Sequence, residues 1–497
     1  MQVRRHITSI PFHVAGVILF FLSHGYNQYF GLISFKDLLL YFLVMISFSF
    51  LSMLMFRRLL GSYLKAGLIT TSILGLYLFF GAILDSFKDS RLLGFIGRYT
   101  VLIPLFIVLL AGFYYYLKKS QRNLQKITGY LNALFLLIIL LDCIFIVSKS
   151  YQFPQPSTSV KQEISTEYPA CTNCPTPDVF LLVMDEYCGS NSLKTYFKYN
   201  NFQFELFLRS KGFFVASHPS SNYMATSLSM ASTFSMNYLS WRTGRQKIMV
   251  EDYTKAEETI SNSDLLQIFH SLDYTIKNYS IFKIANQPSE FNPGLLPTNL
   301  ELITFKTLFN RMNKDLGWHL HQKLAPRVKW FANYFQSNFK EGNGRLLKLT
   351  RDIASNKSAS RRFIYTHLMM PHYPALYDST GKEVKINFYD STISKEELDQ
   401  AYLQYLVYTN KVISDMVNHI QEQTHNEAVI ILMSDHGYRG TPNDGIASPN
   451  NNFISVFLPS GNYTGFYDSI SNVNLFRSTL NSLFRFNMPL LKDSVIN

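Results

Sequence analysis

Two apolar runs, far apart in the chain, each stop at side chains that bind metals. The first is Val179-Phe180-Leu181-Leu182-Val183-Met184, followed at once by Asp185-Glu186. The second is Ala428-Val429-Ile430-Ile431-Leu432-Met433, followed by Ser434-Asp435-His436-Gly437. A continuous apolar run of strand length reads as a strand buried on both faces, hence parallel to its neighbours and covered by helices. Ligands of open α/β sheets bind beyond the carboxyl ends of such strands. The reading therefore brings Asp185, Glu186, Asp435 and His436 to one sheet edge. Carboxylates with one imidazole suit a divalent cation, Zn²⁺ or Mn²⁺.

The chain has 497 residues, more than one ordinary core, so at least two domains are expected. Aromatic residues at 15% and charged residues at only 16% point to a membrane protein. The net charge of +12 does not point to nucleic acid, because the basic residues cluster between apolar stretches and form no patch interleaved with aromatics. Four cysteines are too few for a disulfide scaffold.

Five apolar stretches of near-bilayer length occupy about 8–23, 37–56, 66–84, 99–117 and 127–147. Arg4 and Arg5 precede the first stretch, and Arg57, Arg58 and Lys65 separate the second and third. Lys118, Lys119, Arg122 and Lys126 separate the fourth and fifth. These clusters are cytoplasmic by the positive-inside rule, so five alternating spans leave everything after the fifth outside. The expected organisation is a transmembrane domain at 1–150, a Pro- and hydroxyl-rich linker at 151–176 and an extracytoplasmic domain at 177–497. The protein would then be a multi-pass protein of the cell (inner) membrane, its second domain periplasmic or extracellular. Asp142, inside the fifth stretch, is either functional or packed against a neighbouring helix. Cys171 and Cys174 in the linker fit a local disulfide or a redox-inert pair, and Cys188 is left as an odd thiol.

Within the second domain, Ser221 to Thr233 is rich in hydroxyls and free of Gly and Pro, and reads as a loop feeding a helix that begins near Thr226. A helix start favours an anion, although a Ser/Thr-rich cap with no chemistry has the same composition. His319 and His321, two apart, would point to different helix faces. His367, inside the strand Arg362–Leu368, reads as a packed histidine. His372 lies beyond that strand between Pro371 and Pro374, placed to bind a phosphate oxygen or protonate a leaving group. Ser394-Lys395-Glu396-Glu397 has the form of a capping box opening a helix. A last strand near 453–458 and a helix at Asn472–Phe484 complete the alternation. The fold class expected is an α-helical transmembrane bundle of five spans followed by an α/β sandwich with a mostly parallel central sheet.

The pairing of P-D-V-F-L-L-V-M-D-E (177–186) with I-L-M-S-D-H-G (431–437) resembles the alkaline phosphatase/sulfatase superfamily. With apolar spans ahead of it, the chain looks most like the membrane-anchored branch that holds phosphoethanolamine transferases and lipoteichoic-acid-type phosphoglycerol transferases. The resemblance implies a metal held by Asp185 or Glu186 and by Asp435 and His436, with a hydroxyl nucleophile. In the phosphoethanolamine branch that nucleophile is a Thr in T-A-x-S-x-P-C. Here Thr226 and Ser229 keep the Thr and the Ser at plus three, while the Pro and Cys are missing, so Ser227 and Ser229 stand as rivals. His372, in a His-Tyr-Pro context, resembles the histidine that contacts substrate phosphate.

The implied activity is metal-dependent transfer or hydrolysis of a phospho-headgroup, phosphoethanolamine or phosphoglycerol, through a phospho-threonine. Its partners would be a membrane lipid donor and a glycan, a lipid or water as acceptor. The alternatives are a phosphodiesterase, a sulfatase-type hydrolase or an inactive membrane-anchored binding module. A sulfatase would need the formylglycine motif C/S-x-P-x-R, which does not occur near Thr226 or Cys188.

Overall fold

The computed structural model describes residues 8–30, 33, 35–88, 93–152, 174–242, 248, 250–284, 287–291, 300, 303–312, 329–358, 360–384, 393–440 and 448–496. Most of the linker, with Cys171, and the His319/His321 pair lie outside the described residues. Cys174 is disulfide-bonded. The chain divides into two compact units, one of Met1–Gln155 with Leu295–His321 and one of Pro156–Gly294 with Gln322–Asn497.

The first unit corrects the expectation of five spans. Its helices are α1 (His13–Gln28), α2 (Phe35–Leu60), α3 (Tyr63–Leu78), α4 (Phe80–Lys88), α5 (Tyr99–Lys119) and α6 (Gln125–Gln152). Among the described residues three helices are long and apolar enough to cross a membrane: Phe35–Leu60, Tyr99–Lys119 and Gln125–Ser150. A fourth span exists only if α3 and α4, which meet at 57°, act as one. The first apolar stretch became α1, of 16 residues, about 24 Å at 1.5 Å per residue and short of a bilayer core. It is a packed helix whose Val14, Val17, Ile18, Phe21 and Leu22 are buried. Apolar length does not separate a short buried helix from a span, and here polar contacts decide. His13 N donates to Asn132 Oδ1 at 2.6 Å, and Asp142 accepts from Ser23 Oγ at 3.1 Å and Asn27 Nδ2 at 3.4 Å. Asp142 is thus a packed acceptor between α6 and α1.

The third stretch is broken at Phe79, which leaves the helix with φ −104° and ψ 14°. The Gly81 N–H, just past the break, donates 2.7 Å to the Lys306 carbonyl. A Cβ at Gly81 would lie 2.9 Å from Lys306 Cα, so only glycine admits this approach. Arg311 pairs with Asp85 in the same place.

The second unit contains β1 (Val179–Met184), α7 (Ser190–Thr195), α8 (Phe202–Ser210), β2 (Phe214–Val215), α9 (Thr226–Ser235), α10 (Val250–Ser261) and α11 (Asp264–Ser271). There follow β3 (Thr275–Tyr279), α12 (Lys329–Ser355), β4 (Arg362–Leu368), α13 (Lys395–Gln423), β5 (Val429–Met433), β6 (Ile454–Phe457) and α14 (Asn472–Phe484). The six strands form one sheet in the order β2-β6-β5-β1-β4-β3. β1 pairs in parallel with β4 and β5, and β3 with β4, but β6 runs antiparallel to both β5 and β2. The sheet is therefore mixed, not mostly parallel. A parallel return from β5 would need a helical crossover, whereas no helix lies between β5 and β6 among the described residues, and the chain turns back antiparallel.

β1 lies inside this sheet, and its side chains alternate between two cores. Val179, Leu181 and Val183 pack with Met230, Phe234, Phe269 and Phe476 on one face. Phe180, Leu182 and Met184 pack with Leu208, Leu346, Tyr405 and Ile413 on the other. Helix α13 opens on the capping box read from the sequence, with Ser394 and Glu397 bonding reciprocally. Leu182, 1% exposed, should cost about 2–5 kcal/mol when truncated to alanine. Equilibrium denaturation of the detergent-solubilised chain measures this, and a loss below about 1 kcal/mol would contradict the packing described.

Candidate metal centre and active site

Register explains which side chains meet. Val183 of β1 pairs with His367 of β4 and with Met433 of β5, so these three share a level and a face. The ladder runs one residue further, with Asp185 N donating to Leu368 O at 2.9 Å. Two residues beyond Val183 and Met433, on the same face, stand Asp185 and Asp435. One ligand atom each from Asp185, His367 and Asp435 lie within 4.8 Å of one another, and all three residues are buried.

His367 was expected to be only a packed histidine, and the structure turns its Nε2 to Asp185 Oδ2 at 3.3 Å. Its Nδ1 lies 2.7 Å from the Tyr365 hydroxyl, which fixes the ring. The signal available in the sequence was the shared strand end; the parallel register that reveals it was not.

Glu186 and His436 flank this group. Glu186 N donates to Asp435 Oδ1 at 2.9 Å, and its own Oε1 accepts from Arg439 N at 2.9 Å. Glu186 has φ 62°, a left-handed conformation that costs a non-glycine residue about 1 kcal/mol. Strain of this kind gathers where a side chain is in use. His436 Nδ1 donates to its neighbour's carbonyl, Gly437 O, at 2.7 Å, which leaves Nε2 with its lone pair toward the site. That Nε2 stands 3.2 Å from Asp435 Oδ2 and 3.3 Å from Thr226 Oγ1.

The buried oxygens Asp185 Oδ1, Glu186 Oε2 and Asp435 Oδ2 have no hydrogen-bond partner among the described residues. Buried polar atoms are nearly always satisfied, and carboxylate oxygens converging in a dry pocket call for a cation. The residues therefore fit a divalent metal. Burial alone would push the Asp185 carboxyl up, but the facing His372, His367 and His436 outweigh it and hold it well below the usual carboxylate range.

Thr226 is the first residue of α9, and the preceding Ala225 gives no side-chain cap to the helix. The helix is locked to the end of β5: Ser229 Oγ donates to Asp435 O at 2.5 Å, and Asn472 Nδ2 reaches Ser229 Oγ and Asp435 O, each at 3.2 Å. Ser229 is buried with its hydroxyl proton committed, whereas Thr226 faces His436. His372 comes from the loop after β4, with Nε2 3.6 Å from Glu186 Oε2 and its ring stacked on Tyr373. Gly437 belongs to the D-H-G turn for steric reasons, since a Cβ there would lie 2.2 Å from Asn451 O. Cys188 is buried and its thiol is pushed up to about 12 by burial, so it is a neutral core group.

The sequence pattern of the Sulfatase family matches residues 217–455. No curated protein matches the chain. Among solved structures, the zinc complex of the periplasmic domain of EcEptC from Escherichia coli is similar at 11% identity and TM-score 0.40, covering 66% of this chain and 90% of that one. The soluble domain of lipooligosaccharide phosphoethanolamine transferase A from Neisseria meningitidis is similar at 14% identity and TM-score 0.37, covering 64% and 90%. The integral membrane form of the same Neisseria enzyme covers 96% of this chain and 95% of its own, at 13% identity and TM-score 0.37. These likenesses say nothing of this chain's activity.

In the second unit Glu186→Gly should fold more stably than Glu186→Ala by about 1 kcal/mol, because only glycine takes the left-handed conformation without cost. Denaturation of the two variants without metal measures the difference, and equal midpoints would show that the main chain there is not strained.

Proposed function

We propose that the chain is a membrane-bound, metal-dependent phosphotransferase that takes a phospho-headgroup, phosphoethanolamine or phosphoglycerol, from a lipid onto Thr226. The observation that carries the reading is Thr226 Oγ1 at the start of a helix, 3.3 Å from His436 Nε2 and beside the buried carboxylates. Asp185, Asp435 and His367, with Glu186 and His436 at their margin, would hold the ion, and their oxygen and nitrogen donors suit Zn²⁺ or Mn²⁺. Such an ion supplies positive charge that favours the threonine alkoxide and offsets charge on phosphoryl oxygens.

The chain's own groups supply the rest. The N–H groups at the uncapped start of α9 are donors for a phosphoryl oxygen. Thr226 Oγ, its proton passing to solvent, would attack phosphorus, a new Oγ–P bond forming as the bond from phosphorus to the lipid oxygen breaks. His372 would give that oxygen a proton, so that diacylglycerol departs. In the second half an acceptor hydroxyl, or water, attacks the same phosphorus, the Oγ–P bond breaks and Thr226 regains its proton.

The membrane unit agrees with a lipid donor. Arg57 and Arg58 end α2, Lys118 and Lys119 end α5, and Lys126 begins α6. With both of these ends cytoplasmic the chain must cross once between α2 and α5, so α3 and α4 act as one bent span and the far end of α6 and the domain after it lie outside.

Incubating the purified chain with metal and headgroup-labelled phospholipids, then mapping the label, tests the reading. Label should sit on the peptide holding Thr226 and vanish in Thr226→Ala. Undiminished labelling or turnover in that variant would remove the nucleophile. Asp435→Asn and Asp185→Asn should each reduce bound metal per chain, read by elemental analysis, and full occupancy in both would remove the metal site.

A further inference from the structure

Arg439 is a cation brought to the reacting hydroxyl, and among the described residues its side chain has no carboxylate partner. Its main chain is pinned three residues after His436, where its N–H donates to Glu186 Oε1 at 2.9 Å. The residue before it is fixed as well: the Tyr438 ring stacks on Tyr402 at 4.2 Å and its hydroxyl donates to Asp399 Oδ1 at 2.6 Å. The side chain then folds back over the site. Nη2 donates to His436 Nε2 at 2.6 Å and to Thr226 Oγ1 at 3.3 Å, and Nε lies 3.4 Å from Met224 O.

These partners are an imidazole nitrogen, a hydroxyl and a main-chain carbonyl, and among the described residues Arg439 forms no ion pair. Arg439 is exposed, so its unused N–H groups stay open to an incoming ligand. A guanidinium carries five donors in a fork that matches two oxygens of a tetrahedral oxyanion. The site also needs such a charge. Asp185, Glu186 and Asp435 bring three carboxylates, more than one divalent ion neutralises, and the substrate adds further negative charge.

We infer that Arg439 binds the non-bridging oxygens of the phosphoryl or sulfuryl group held at Thr226, and is a substrate-binding residue of this site. The inference rests on the proposed function, and it deepens it by naming the group that recognises the oxyanion. The sequence gives no hint of it, because the formylglycine motif that would supply an arginine beside the nucleophile is missing, and this arginine comes from another loop.

The test is calorimetric titration of the metal-loaded full chain in detergent with inorganic phosphate and, separately, inorganic sulfate. Wild type, Arg439→Ala and Arg439→Lys are compared, with metal per chain measured in each. The alanine variant should bind the preferred oxyanion about tenfold or more weakly with metal content unchanged, and lysine should restore only part, being a point charge without the fork. The tighter of the two wild-type titrations identifies the oxyanion class. Affinity within twofold of wild type in Arg439→Ala, or a loss of affinity accompanied by loss of metal, would overturn the inference. Failure of Thr226 labelling would leave this result standing, so the two readings fail separately.

Discussion

Asp185 and Asp435 cannot share a dry pocket unless positive charge reaches it. With ligand atoms within 4.8 Å, two carboxylates repel by roughly 3 kcal/mol at an effective dielectric near 20. The sheet brings them together regardless, because β5 and β1 are neighbours and each ends in an acid on the same face. Much of the surrounding structure answers that repulsion. His367, His372 and His436 face the acids, Glu186 N and Arg439 N donate to carboxylate oxygens, and three oxygens remain for an ion. The hydroxyl of Thr226 stands at the margin of this group, 3.3 Å from His436 Nε2.

Precision at the site comes from behind it. Ser229 and Asn472 tie the first turn of α9 to the main chain of Asp435, which fixes the Thr226 hydroxyl relative to the strand-end side chains. Tyr402 does the same on the other side, donating to Glu186 O at 2.7 Å and accepting from Cys188 N at 3.0 Å. These buried bonds are worth about 1 kcal/mol each and fix relative position more than they add stability.

Sequence patterning revealed what is local and missed what depends on pairing. β1 and β5 were legible because both faces of each strand are buried, which writes an uninterrupted apolar run. Ser394 and Glu397 announced a helix start through a reciprocal pair of bonds. The direction of β6 was not legible, since a buried strand reads the same whether it runs parallel or antiparallel. His367 was hidden for a related reason: its role follows from lying opposite Val183, and register is not a property of one strand. In the first unit, hydropathy marked the helices correctly but not their fate. α1 is as apolar as a span and yet packs through His13 and its contacts to Asp142, and the α3–α4 break at Phe79 is held by a carbonyl more than 200 residues further along the chain, that of Lys306.

Strand-end acids and a histidine of one sheet converge near Thr226, in an arrangement that fits a single cation. Anomalous diffraction from crystals of the full chain grown with manganese or zinc tests it most directly. One strong anomalous peak is expected in contact with Asp185 and Asp435 and with a histidine nitrogen, within reach of Thr226 Oγ1. A peak elsewhere, or none at a metal concentration that saturates the protein, would contradict it.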